Sequence, residues 1–576
     1  MSALWLLHVL FRLLLTEPRQ PHQSESTPPA AAAVTKFELF ALVLLLFACY
    51  LQFFHQLGSL GLVGPDEPRY AQIAREMAAS GDFVTPKLHG EPWFEKPILY
   101  YWMAAAAFKV MGVSELAARL PSALAGLVGV LAVFWVGRHW VSPRCGLAAG
   151  LILASSPLYF SLARAASTDM LLTSALTMCL ACSYFAWFGQ ESEVSGRAIS
   201  SKESSAWIYG VYFFLALAVL AKGPVGAVLL GSTIAFFILI TRRWDLLKRL
   251  LRPGAVLLGL AIALPWYWLC YRANGWLFIQ EFLINHNLAR FATDRYQHAQ
   301  PVWFYVPVVF ASFLPWAFQL LAPAWQWLRN LRREPRRHTE STLLWAWVLI
   351  PFVLFSLSRS KLPGYVLPMF PALALLAAKQ WDRIWSVSSE EGLLPERRLS
   401  LCLQACFMAA IGLALPLGAR FLDQEVAIFI PALRILLFAI GIGGILMVWR
   451  RKLVVLFGIH FVGVALGVLL ITERIGPQVD AVESSRQLAG VLRQQGFAGE
   501  PIFIYRLSRR IEYGLNFYLD TRTRLIYSES DATYPDWGDL FLVTDPGVEA
   551  ESVLPHARTV TQTRFLGQNV VRMIRR

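Results

Sequence analysis

Long apolar runs separated by short polar loops fill most of this chain. A membrane-crossing helix needs about 20 mostly apolar residues. Thirteen runs are read on that criterion, at roughly 37–57, 117–138, 145–164, 169–189, 206–221, 224–241, 254–272, 302–325, 343–358, 363–379, 400–420, 427–449 and 453–472. The run 98–112 is shorter and carries Lys109, so it is assigned to a helix lying at the interface. From about Thr472 the pattern changes. Alternating strand-like runs at Pro501–Tyr505, Arg524–Tyr527, Asp539–Val543 and Asn569–Ile574 flank helical patterns near 482–495 and 510–519. The prediction is a polytopic α-helical membrane protein of about thirteen transmembrane helices, with interfacial helices in its first outer loop and a small C-terminal soluble α/β domain. The expected divisions are an N-terminal segment 1–36, a transmembrane domain 37–472 with a long loop at 58–113, and a domain at 473–576. No function is assigned to the short apolar stretch Leu4–Leu15.

Composition agrees. Of 576 residues, 56% are hydrophobic and 16% charged, which excludes an ordinary soluble protein and a disordered one. The seven cysteines lie in or beside apolar runs and read as buried thiols; Cys179 and Cys182 lack the second pair that a zinc site needs. The net charge of +14 raises the question of nucleic acid. The basic residues form no single face or arm, so no nucleic-acid partner is expected. They cluster instead at 138–144, 242–252, 329–337, 379–398 and 450–452, as the positive-inside rule requires if the N-terminus is cytoplasmic. The C-terminal domain then lies outside, in the periplasm of a bacterium.

The candidate chemistry gathers in the outer loops. The loop 58–113 is long for a compact membrane protein, which points to function. It holds Asp66, Glu67 and Arg69 just past the first span, and Glu95 and Lys96 before the interfacial helix. Asp169 follows the third span at the same edge, beside Ser167 and Thr168, where a helix N-cap is the plainer role. Carboxylates on one surface of an apolar bundle suit general-base or substrate-orienting work. Arg69, Lys87, Lys96, Lys222, Arg290, Arg295, Arg359 and Lys361 break the positive-inside pattern. Cations at an outer membrane edge suit a lipid phosphate, and headgroup snorkelling accounts for any one of them alone. His286 and His298 lie in the loop 273–301, but nothing has the spacing of a complete zinc site.

Several segments resemble the lipid A aminoarabinose transferases of the GT-C superfamily, which also holds the protein O-mannosyltransferases. They are DEPRYAQIAREMAASGD at 66–82, FEKPI at 94–98, AKGPV at 221–225, RFATDRYQHAQPVWFYVPV at 290–308, KLPGYVLP at 361–368 and YGLNF at 513–517. Their order and topological side agree with that family from about residue 37 onward. The resemblance implies a GT-C fold and a glycosyltransferase with a sugar donor on undecaprenyl phosphate. The implied sugar is 4-amino-4-deoxy-L-arabinose and the implied acceptor a lipid A phosphate; a protein Ser or Thr hydroxyl or another envelope glycan is the alternative. It also implies Asp66 as base or acceptor activator and Asp169 as an orienting carboxylate. Lys96 and Tyr365 are expected to hold the donor phosphate, with Arg69, Lys361, Lys222 and Glu67 as further substrate-binding residues, and Glu95 and His286 are expected zinc ligands. Three departures stand out: Pro68 for a usual Thr, Trp93 for a Tyr near the donor phosphate, and Asn285 for a common Glu. Tyr100, Tyr101 or Tyr365 could replace the lost hydroxyl. Direct displacement predicts inversion at the anomeric carbon. A lipid-linked precursor transporter is the competing class, but it calls for mid-membrane charges and paired repeats, and neither is evident.

Overall fold

A computed structural model describes residues 36–189, 201–289, 300–333, 339–386, 395–418, 430–521, 523–526, 539–554, 556–565 and 568–575. Every apolar run read from the sequence is helical where described. Nine helices are long and apolar enough to cross a membrane, and two bent pairs raise the number to eleven among the described residues. One pair, Pro143–Ala154 with Pro157–Ala163, bends by 68°. The break falls where Pro157, lacking an N–H, starts a new helix after Ser155 and Ser156. The other, Val302–Ser312 with Trp316–Leu331, bends by 108° around Pro315. Val225–Thr241 is apolar but, at 17 residues, shorter than these nine. The expected span at 363–379 starts as a 3-10 turn, Pro363–Met369, and continues as the helix Phe370–Trp385. Pro363 and Pro368 cannot donate to an α-helical ladder, which accounts for the tight start. Residues 370–378 are all buried, so this helix forms part of the bundle core.

Polar bonds tie helix ends together at both ends of the bundle. At one end Arg138 Nε donates to Glu38 at 2.5 Å, Ser142 to Asp382 at 2.5 Å, Arg383 to Gln326 at 2.5 Å and Lys379 to Ser341 at 3.3 Å. The other end carries the long loop. This loop folds as the helix Asp66–Ser80, closed by left-handed Gly81 (φ +72°), then a small hairpin pairing Lys87–Leu88 with Glu91–Pro92, then the expected short helix Leu99–Met111.

The last helical stretch runs on from Leu453 to Glu483, beyond the expected end at 472. The C-terminal sheet has the order Thr523–Ile526, Ile502–Tyr505, Asp539–Thr544, Gln568–Arg575, Ala557–Phe565. The first three strands are parallel and the last two form an antiparallel hairpin. Ala557–Phe565 was not expected. It is a mostly exposed edge strand rich in Thr and Arg, so it has no apolar alternation to read. Helices Arg486–Gln494 and Arg509–Leu519 lie close to the predicted positions. The domain docks directly on the long loop. Leu62 N–H donates to the Tyr518 hydroxyl at 2.7 Å, which donates to Glu115 at 3.1 Å. Arg75 reaches Phe517 O at 3.0 Å and Asp520 at 2.8 Å. All seven cysteines are free; five are buried, and Cys406, expected inside, is exposed on the helix Pro395–Gly418.

Candidate functional site

Asp66 opens its helix directly after Gly64-Pro65, and its carboxylate is 57% exposed at the mouth of the loop. Arg69, one turn on, bridges it to the hairpin side of the loop. Its Nη2 lies 2.6 Å from Asp66 Oδ1 and 2.8 Å from Glu95 Oε2. Lys96 Nζ is 3.1 Å from the other Glu95 oxygen. Burial works against the charge on Arg69, but Glu95, Tyr70 and Asp66 outweigh it and hold the guanidinium protonated. Three rings surround that guanidinium: Tyr70 at 5.3 Å, Trp93 at 5.7 Å and Tyr513, from the C-terminal domain, at 5.3 Å. Burial raises the Tyr513 hydroxyl above its ordinary value, against the pull of Arg69. Tyr101 is fully buried nearby, and its hydroxyl has no partner among the described residues.

Glu67, expected among the substrate-binding residues, turns inward and is buried. Neighbouring positions on a helix point about 100° apart, so Asp66 and Glu67 cannot share a face. Glu67 accepts from Arg119 Nη2 at 2.7 Å and Nε at 3.0 Å, from Ala166 N–H at 2.6 Å and from Val63 N–H at 2.9 Å. Arg119 spends its remaining protons on the carbonyls of Leu57, Leu60 and Gly61. Glu67 is a fastener between the long loop, the second span and the segment leading to Asp169.

That segment builds the second cluster. Ser167 caps the helix Thr168–Phe188 by accepting from Asp169 N–H at 3.1 Å. Ser167 therefore supplies the cap once ascribed to Asp169, whose carboxylate is left to pair with Lys222 at the end of the neighbouring antiparallel helix. Lys222 also lies over the Tyr365 ring at 4.7 Å. Gly364 brings its backbone close enough that a Cβ there would meet the Asp169 carboxylate at 3.6 Å. Lys361 is buried and donates to Gln300 O at 2.9 Å and to Ser358 O.

His286 sits 3.8 Å from Glu281, whose other oxygen accepts from Asn285 at 3.0 Å. Glu95 already faces two cations. No group of three His, Cys, Asp or Glu among the described residues could hold a metal ion. A divalent ion at Glu95 would compete with Arg69 and Lys96 for its two oxygens. Arg290, Arg295 and His298 lie outside the described residues.

Sequence reasoning missed Arg119 and Tyr513. Arg119 had one signal, a charge at the start of an apolar run. Tyr513 lay within YGLNF, but nothing in the sequence tied it to Arg69.

Comparison with known proteins places this geometry. Residues 38–280 match the family model described as dolichyl-phosphate-mannose-protein mannosyltransferase. The undecaprenyl phosphate-alpha-4-amino-4-deoxy-L-arabinose arabinosyl transferase 2 of Pseudomonas fluorescens is 36% identical over 373 residues, covering 63% of this chain and 61% of that protein. The corresponding transferase of Edwardsiella ictaluri is 34% identical, covering 56% and 55%. The chain thus aligns with less than two thirds of the length of these curated relatives. The crystal structure of ArnT from Cupriavidus metallidurans bound to undecaprenyl phosphate superposes with a TM-score of 0.76 at 26% identity, covering 94% of this chain and 98% of that one. The chain shares the fold of that structure and is a multi-pass inner-membrane protein similar to the aminoarabinose transferases.

Proposed function

We propose that this chain transfers 4-amino-4-deoxy-L-arabinose from undecaprenyl phosphate to a phosphate of lipid A at the periplasmic face. The observation that carries the reading is the pair of carboxylate–cation clusters, Asp66–Arg69–Glu95–Lys96 and Asp169–Lys222 with Tyr365, in a fold shared with an undecaprenyl phosphate-bound structure. The Glu67–Ala166 bond links the two clusters through a short stretch of chain.

The bond from the anomeric carbon to the carrier phosphate breaks, and one to an acceptor phosphate oxygen forms on the opposite face, with inversion. Lys96, Lys222 and the Tyr365 hydroxyl suit the leaving phosphate, where negative charge grows. Lys361 has one proton left beyond its two carbonyls for the same phosphate. An acceptor phosphate is already anionic and needs no base. Asp66, exposed at the mouth, then orients the acceptor or pairs with the sugar ammonium, and Asp169 orients the donor by holding Lys222. In this reading the N-terminus is cytoplasmic, and residues 58–113 and 473–576 are periplasmic.

The test is lipid A mass spectrometry on a deletion strain complemented with wild type or Asp66→Asn. The expected result is an aminopentose-bearing species restored by wild type alone. Restoration by both forms removes Asp66 from its role. Unchanged lipid A in every strain, with the protein expressed and the modification induced, overturns the acceptor.

A further inference from the structure

The C-terminal domain reaches the first cluster through Tyr513. Tyr513 projects from the helix Arg509–Leu519 and is buried against the Arg69 guanidinium, 5.3 Å from its ring centre. Tyr70 and Trp93 supply the other rings, and Asp66 and Glu95 supply the ion pairs. Arg69 is thus the one residue on which both carboxylates of the first cluster and the separate domain converge. The helix bearing Tyr513 is itself fixed: Phe517 O and Asp520 hold Arg75, which lies on the same helix as Arg69. Behind it, Gly514 leaves room for Ser485, whose Oγ a Cβ at that position would meet at 2.4 Å. Close packing at Gly514 and the Arg75 bonds seat the helix that carries the ring.

We propose that Tyr513 is a positioning residue of the transferase: it holds Arg69 in the one orientation that bridges Asp66 and Glu95, and so makes the C-terminal domain a working part of the active site. The inference rests on the reading of the first cluster given above. It assigns that domain a task in catalysis beyond packing. A ring over a guanidinium is attractive whichever aromatic supplies it. Phenylalanine keeps the ring and loses only the hydroxyl's contact with Arg69, so it should retain most of the activity that leucine loses.

Purified full-length wild type, Tyr513→Phe, Tyr513→Leu, Arg69→Lys and the Tyr513→Leu/Arg69→Lys double variant are assayed with undecaprenyl phosphate-linked aminoarabinose and lipid A. Melting temperature in detergent is recorded for each. Displacement of a positioned group by about 1 Å can cost on the order of a hundredfold in rate. The expectation is a fall in kcat of about tenfold or more for Tyr513→Leu, with recovery in Tyr513→Phe and a wild-type melting temperature for both. In the Arg69→Lys background the leucine substitution is expected to cost little more. An equal loss in both backgrounds, or full activity in Tyr513→Leu, overturns the proposal. So does a loss in Tyr513→Leu that tracks a lowered melting temperature and is not rescued by phenylalanine. If wild type itself does not turn over this donor, the functional reading fails. The same cycle is then read on the melting-temperature shift given by undecaprenyl phosphate, where the coupling between Tyr513 and Arg69 is still required.

Discussion

Asp66 and Glu67 are adjacent in sequence and opposite in task. Asp66 is exposed and bonded to Arg69, so Asp66→Asn is expected to leave the melting temperature unchanged while lowering transfer by about a hundredfold through lost positioning, checked by turnover of the purified protein. Glu67 is buried with Arg119, and removing one partner of such a pair leaves an uncompensated charge costing about 3–5 kcal/mol. Glu67→Ala is therefore expected to lower the melting temperature in detergent clearly, with activity falling as a consequence. A Glu67→Ala protein as stable as wild type would remove the fastener role. Sequence alone placed both residues at the site, Asp66 as catalytic and Glu67 as substrate-binding, and could not show that Glu67 is buried. Their difference is set by which face of the helix meets Arg119, which is 52 residues away.

At the level of elements, the apolar runs, the interfacial helix and the two C-terminal helices were legible because each carries a periodic or unbroken apolar signal. The edge strand Ala557–Phe565 and the bends at Pro157 and Pro315 were not. The first is polar along most of its length, and the bends depend on neighbours that no local pattern reports. The helix Arg509–Leu519 also carries a titration. Burial raises Glu512 from 4.5 to about 7, against the smaller opposing effect of Arg509. The folded state then binds the proton more tightly than the unfolded chain. This contribution to stability is full below 4.5, is lost as pH rises from 4.5 to about 7, and is constant above that. Glu512→Gln, which cannot ionise, is expected to melt higher than wild type above pH 7 and equally near pH 4.5. Melting curves of the full-length protein across this range check the sign. A difference that is the same at every pH would show that ionisation is not its source.

Taken as a whole molecule, the bundle has two chemically different ends, and the bonds at each end constrain how the chain threads between them. Asp66 follows the first span, Asp169 begins the helix Thr168–Phe188, Lys222 ends Ser201–Lys222, and Tyr365 follows Thr339–Leu357; the bonds among these residues and Tyr513 gather those ends on one side. Glu38, Arg138, Ser142, Gln326, Ser341 and Asp382 gather the alternate ends on the other. Counting each bent pair, together with Val225–Thr241 and Phe370–Trp385, as one pass agrees with this threading and gives the thirteen-pass reading. In the proposed orientation the end bearing Arg138, Arg144, Arg242, Arg243, Lys248, Arg249 and Arg450–Lys452 is the cytoplasmic one. Alkaline phosphatase fused after Met111, after Arg252 and at the C-terminus separates the alternatives. Five passes lie between the first two points and seven between the second and the third, so the expected pattern is active, inactive, active. If Pro143–Ala163 were a re-entrant loop, the count between Met111 and Arg252 would be even and both fusions would report the same side. The reverse pattern, with only the Arg252 fusion active, would put the Asp66 and Asp169 clusters in the cytoplasm and remove them from a periplasmic lipid A acceptor.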